Sequence, residues 1–140
     1  MSLKYEFRTE GNYSYCDLTY NNLTFTGIAR CHPDDVDMIS ERTGYCIAEI
    51  RANIQKLRWV RDYEIIPMIK SYKHLRHCIS RAPKHNPDSY EFYAIEQKIK
   101  KLEEDLIDLR AAIKEERDYL SDYIRKKETV YQRIRKAKNN

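Results

Sequence analysis

The sequence predicts an α+β fold, in which a short N-terminal three-stranded antiparallel sheet is followed by two long antiparallel helices forming a coiled-coil hairpin. Three observations lead there. Residues 3–30 alternate apolar and polar in three short runs separated by turn residues. After Pro33, apolar residues recur every three or four positions almost to the end of the chain. Turn formers are scarce, with 3 Gly and 4 Pro in 140 residues, so the elements must be few and long.

The first run, Leu3 to Thr9, places Leu3, Tyr5 and Phe7 on one face and Lys4, Glu6 and Arg8 on the other, the pattern of a half-buried strand. Glu10-Gly11-Asn12 reads as a turn. Tyr13 to Tyr20 alternates again. Asn21-Asn22 is a two-residue turn of the type that tolerates positive φ, and Leu23 to Arg30 completes a meander. Three strands hide little by themselves, so one face must pack on a helix.

Cys31-His32-Pro33-Asp34-Asp35 opens the first helix, with Pro at the first helical position and acids in the first turn. Its apolar positions fall at Val36, Ile39, Thr43, Ile47, Ile50, Ile54, Leu57 and Val60. Gly44 lies inside it, and a helix-interior glycine points to close approach by another segment, here the sheet. Pro67 predicts a kink or a break, after which the pattern resumes through Leu75, Cys78 and Ile79. Arg81 to Pro87 holds two prolines and Asn86 and reads as the hairpin loop.

Asp88-Ser89-Tyr90-Glu91 reads as a capping box for the second helix, which runs to about Ala137. Its seam is Phe92, Ile95, Ile99, Leu102, Leu106, Leu109 and Ile113, then Leu120, Tyr123, Val130 and Ile134, with Glu116 and Lys127 as polar interruptions. A sustained seven-residue repeat is a coiled-coil seam, and at 1.5 Å per residue the helix is roughly 70–80 Å long. The first helix does not cover that seam if Pro67 bends it, so a second copy of the chain is expected on part of it. The division is therefore residues 1–32 for the sheet and 33–140 for the hairpin, as one structural unit.

Composition limits function. Charged residues make up 34% of the chain and mean hydropathy is −0.82, too polar for a thick core and suited to helices that bury a narrow stripe. The formal net charge of +4 permits anionic partners without demanding nucleic acid, and no specific nucleic-acid partner is expected. Twelve Tyr against three Phe suits wet interfaces and base stacking as well as the edge of a core. Cys16, Cys31, Cys46 and Cys78 are widely spaced without a CxxC, as expected of reduced thiols. No leader-like or membrane-spanning run is read, and a cytoplasmic setting follows as an expectation.

No catalytic motif is present, and the chain is read as a non-enzyme without cofactor. His74, His77 and Cys78 offer two or three ligands on one helical turn, short of the four a closed metal site needs. The more informative residues are basic and polar. Arg30 ends the third strand, and Arg51 and Arg58 lie seven apart on one helical face. Asn86 and Tyr90 flank the interhelical loop. Arginines without a neighbouring base suit holding phosphates, while an amide and an aromatic ring suit orienting and stacking a nucleobase. Exposed helical arginines are also common for no such reason.

One stretch is more specific. Thr26-Gly27-Ile28-Ala29-Arg30-Cys31-His32-Pro33-Asp34-Asp35, followed by Ser40-Glu41, Gly44, Ile47-Ala48 and Arg51-Ala52, resembles a pattern in small proteins of Gram-positive phages. The motif, G-x-A-x-C-H-P-D-D and then S-E-x-x-G-x-x-I-A-x-x-R-A, covers about a fifth of the chain. Together with the plan of sheet, junction and two long helices, the chain resembles the first phage Thoeris anti-defence family. The resemblance implies a sponge that binds a cyclic ADP-ribose signal made by the defence system's TIR enzyme, without degrading it. It also implies uptake of cyclic di- or trinucleotides, assembly as a dimer or hexamer, and action in the host bacterial cytoplasm. Family binding uses an Arg on the first long helix and an Asn near the interhelical loop, which correspond by architecture to Arg51 and Asn86. Arg30, Arg58 and Tyr90 complete the candidate ligand set. The alternatives are a phage inhibitor that binds a host defence protein directly, of the anti-CRISPR type, and a structural coiled-coil adaptor.

Overall fold

The computed structural model describes residues 3–30, 41–82 and 89–139, with side chains to residue 137. The element order is β1 (Lys4–Glu10), β2 (Tyr13–Tyr20), β3 (Leu23–Arg30), α1 (Glu41–Trp59), a π-helical segment (Val60–Ile65), α2 (Ile66–Ser80) and α3 (Tyr90–Asn139). The predicted α+β class is what is found, with the sheet first and long helices after it. The expected helix start at Pro33 and the boundary at residue 32 lie outside the described residues.

The sheet is an antiparallel meander in the order β1-β2-β3. Both turns follow from local chemistry. Gly11 takes φ 58° at the first central position of the β1–β2 loop. Asn21 and Asn22 take φ 50° and 63°, the positive-φ pair of a turn whose twist matches the flanking strands. In register, Phe7 faces Cys16 and Cys16 faces Gly27. The inner face therefore carries Tyr5, Phe7, Cys16, Leu18, Phe25, Gly27 and Ala29.

The chain forms two compact units, Met1–Lys56 with Ile113–Asn140, and Leu57–Ala112. This division cuts through both long helices. In the first unit, the core joins Cys16, Leu18 and Ala29 of the sheet to Ala48 and Ala52 of α1, with Tyr5, Phe25 and Ile47 packed around it. Small residues let helix and sheet backbones approach. A Cβ on Gly27 would overlap the Ala48 carbonyl oxygen and lie 2.6 Å from the Ala52 nitrogen. A Cβ on Gly44 would meet the Ser14 side chain, so the expected close approach of Gly44 to the sheet holds. Away from the sheet, Thr43 and Cys46 of α1 meet the Tyr123 hydroxyl of α3.

The second unit pairs α2 with the first half of α3 in antiparallel sense. Arg76 binds Glu96 at 3.3 Å and Lys73 binds Glu103 at 3.0 Å. Ile69, Ile99 and Leu102 are its buried apolar residues among those described.

Three sequence expectations need correction. First, Pro67 does not break the helix, because the chain is helical throughout 41–80. Proline lacks the N–H that would reach back four residues, and its ring crowds that carbonyl. The chain accommodates it with the π segment just upstream, where the Ile66 N–H donates to the Arg61 carbonyl five residues back. Second, the extra residue in that turn rotates every later position by about 100° relative to an uninterrupted α-helix. Leu75 and Cys78 are therefore exposed, and Ile69, Tyr72, Arg76 and Ile79 face inward to differing degrees. Third, the cap of α3 lies one residue later than a box led by Asp88 requires. The Phe92 N–H donates to Ser89 Oγ at 3.3 Å, so Ser89 is the N-cap. Glu91 then falls at the second helical position, where it does not complete the reciprocal bond. Asp88 itself is outside the described residues.

Candidate functional site

The predicted ligand residues divide between the units. Arg30 and Arg51 belong to the first, and Arg58 and Tyr90 to the second. Asn86 lies outside the described residues.

Arg51 reaches the edge of β3 for a reason set by hairpin parity. Tyr20 and Leu23 flank a two-residue turn and face each other as a hydrogen-bonded pair. Odd-numbered residues of β3 thus turn their backbone groups to β2, and even-numbered ones turn theirs to the free edge. α1 covers that edge with side chains. Arg51 Nη1 donates to the Ile28 carbonyl at 2.6 Å, and Gln55 Nε2 donates to the Thr26 carbonyl at 2.7 Å. Arg51 consequently has a structural partner that spacing alone did not reveal. The bond uses one face of a guanidinium that carries five N–H donors. Two residues beyond Ile28, the Arg30 guanidinium lies 5.8 Å from the ring centre of Tyr13, directly across on β2.

The outer face of the sheet continues this pairing of arginine with tyrosine. Arg8 stands 4.2 Å over the Tyr15 ring, and Tyr13 and Tyr15 lie 6.2 Å apart. Arg8 also binds Asp17 at 3.2 Å and Glu10 at 2.9 Å. The Thr26 hydroxyl at 2.7 Å, followed by Arg8, holds the Asp17 carboxyl below the usual aspartate range. Of this face, sequence reasoning singled out only Arg30. The i, i+2 tyrosines of β2 and their cross-strand arginines were readable once the register was known.

Arg58 is exposed on α1, and its charge adds to that of Arg61 in lowering Asp62, whose carboxylate Arg61 holds at 2.8 Å. Tyr90 is 79% exposed at the start of α3. Cys78 Sγ lies 3.6 Å from His74 Nε2, and no group of three metal-binding side chains occurs among the described residues. Among the same residues, no helix is long and apolar enough to cross a membrane.

No protein-family model matches the chain, and no curated protein or solved structure matches it significantly.

Proposed function

We propose that this chain is a non-catalytic phage anti-defence protein that binds and sequesters a cyclic nucleotide of the cyclic ADP-ribose class. The observation that carries this reading is the corner at the end of β3, where Arg51 binds the Ile28 carbonyl from the strand's edge and Arg30 lies beside the Tyr13 ring on the outer face. A pyrophosphate needs fixed, always-charged donors, and two guanidiniums supply them in planar forks. An adenine needs a flat face, and tyrosine supplies one with a polar edge. Arg51 is held by a strand carbonyl, which limits the ordering cost of binding. The sequence motif that spans this corner and its likeness to phage proteins supply the biological setting. Assembly into a homo-oligomer through the helices belongs to the same reading.

Calorimetry against cyclic ADP-ribose isomers and cyclic dinucleotides tests it, with mass analysis of the recovered ligand. The expected result is binding of at least one isomer, intact recovery, and loss of that binding in Arg30→Glu. Binding of none, or recovery of a cleaved product, overturns the proposal. Arg30 is the better probe, since Arg51 also supports the sheet.

A further inference from the structure

The two edges of the sheet are treated differently. α1 caps the outer carbonyls of β3 through Arg51 and Gln55. The same hairpin parity governs β1. Glu10 and Tyr13 flank a two-residue loop, so even-numbered residues bond to β2. Tyr5, Phe7 and Thr9 then turn their N–H and C=O groups outward. Among the described residues, none bonds that edge, and six of the seven residues of β1 are exposed. Phe7 is 41% exposed although it belongs to the apolar face.

An uncovered edge pairs with another strand unless the sequence opposes it. Charges on an edge strand are usually such opposition, and β1 carries Lys4, Glu6, Arg8 and Glu10 on its outer face. Here, however, the order of signs is complementary to itself when reversed. We infer that β1 pairs antiparallel with β1 of a second copy about a twofold axis through Phe7, joining two sheets into one of six strands. In that register Lys4 faces Glu10 of the second copy, and Glu6 faces its Arg8. The outward groups of Phe7 meet those of its symmetry mate, and those of Tyr5 meet those of Thr9, as a hydrogen-bonded ladder requires. The apolar face gains contact between the two Phe7 rings beside Tyr45, which already lies 5.0 Å from Phe7.

Neighbouring registers are rejected by charge. Centring on Glu6 sets Glu6 against itself and Lys4 against Arg8. Centring on Arg8 sets Arg8 against itself and Glu6 against Glu10. Like charges directly opposite one another are destabilising, and centring farther out, on Tyr5 or Thr9, keeps opposite charges together but pairs only three of the seven β1 residues, so the register through Phe7 is favoured. This interface is independent of the helices and of nucleotide binding.

The test is mass by light scattering and dimer affinity by sedimentation for the parent, Lys4→Glu, Glu10→Lys and the double exchange. Each single variant sets like charges together twice per dimer and should raise the dissociation constant roughly tenfold or more. The double exchange restores opposite charges and should return the parent affinity. Thr9→Pro removes an outward N–H while sparing the bonds to β2, and should also abolish the β1 contact, leaving only such assembly as the helices support. Thermal melts confirm that each variant is folded. A monomeric parent at high micromolar concentration overturns the proposal, as does a dimer indifferent to the single exchanges or a double exchange that fails to restore it.

Discussion

Gly27 marks the closest contact between sheet and helix, because what it faces is backbone. The Ala48 carbonyl and the Ala52 nitrogen cannot turn aside for an added methyl. Gly44 faces only the Ser14 side chain, whose Oγ can change rotamer. Gly27→Ala should therefore destabilise the chain by about 1–3 kcal/mol and Gly44→Ala by less, both measured by urea unfolding. Directly across from Gly27 on β2, Cys16 is fully buried, and burial pushes its thiol up to about 11, with Glu49 and Asp17 adding to the effect. A proton held more tightly in the folded state favours folding below the thiol's unfolded pKa and ceases to do so as pH climbs through the folded value. Burial also raises Tyr5, which acts in the same direction. The urea midpoint should thus fall as pH rises beyond about 9, where an unfolded thiol ionises. Brief iodoacetamide treatment should alkylate exposed Cys78 and leave Cys16 unmodified until the chain unfolds, as read by peptide mass analysis.

At the scale of elements, the sequence was most legible where the period was shortest. All three strands and both turns follow from two-residue alternation and from Gly11, Asn21 and Asn22, because side-chain direction in a strand has no phase to lose. Helical phase is less forgiving. The π segment before Pro67 turned the later stripe away from Leu75 and Cys78, and hydropathy carries no signal for an inserted residue. The C-terminal part of α3 shows a related slip. The seven-residue pattern selected Val130 and Ile134, yet these are 46% and 36% exposed, while Tyr131 is 9% exposed. A straight α-helix drifts about 20° per heptad from a 3.5-residue repeat, and here its buried line moves on by one position. The difference is measurable. Leu102→Ala removes a side chain that is 4% exposed and should cost about 2–4 kcal/mol, whereas Val130→Ala should stay within about 0.5 kcal/mol. For the candidate site, Arg30 and Arg51 were readable as residues. The partner of Arg51, the Ile28 carbonyl, was not, because it depends on which edge α1 overlies.

Across the whole molecule, the two units are unequally supported. The first buries Cys16 and Leu18 completely, together with Ala29, Ala48, Ile50, Ala52, Ile54, Ile113 and Tyr131. A sheet hydrogen-bonds across its strands, and side chains of α1 tie its β3 edge down. The second unit has Ile69, Ile99 and Leu102 as its buried apolar residues among those described, with ion pairs at its surface. Lys73, Glu103, Arg76 and Glu96 each have side chains at least a third exposed, so solvent screens those pairs and each contributes well under about 1 kcal/mol. The π segment adds a stretch of weaker hydrogen bonds within the same unit. Helices of this length gain most of their stability from packing, so the less buried unit should open first. Native-state hydrogen exchange should show amides of 66–80 and 90–110 exchanging at a lower free energy than those of β2 and of residues 46–54 in α1. Limited proteolysis should cut first within residues 57–112. Exchange at one common free energy in both regions would mean that the units unfold as one.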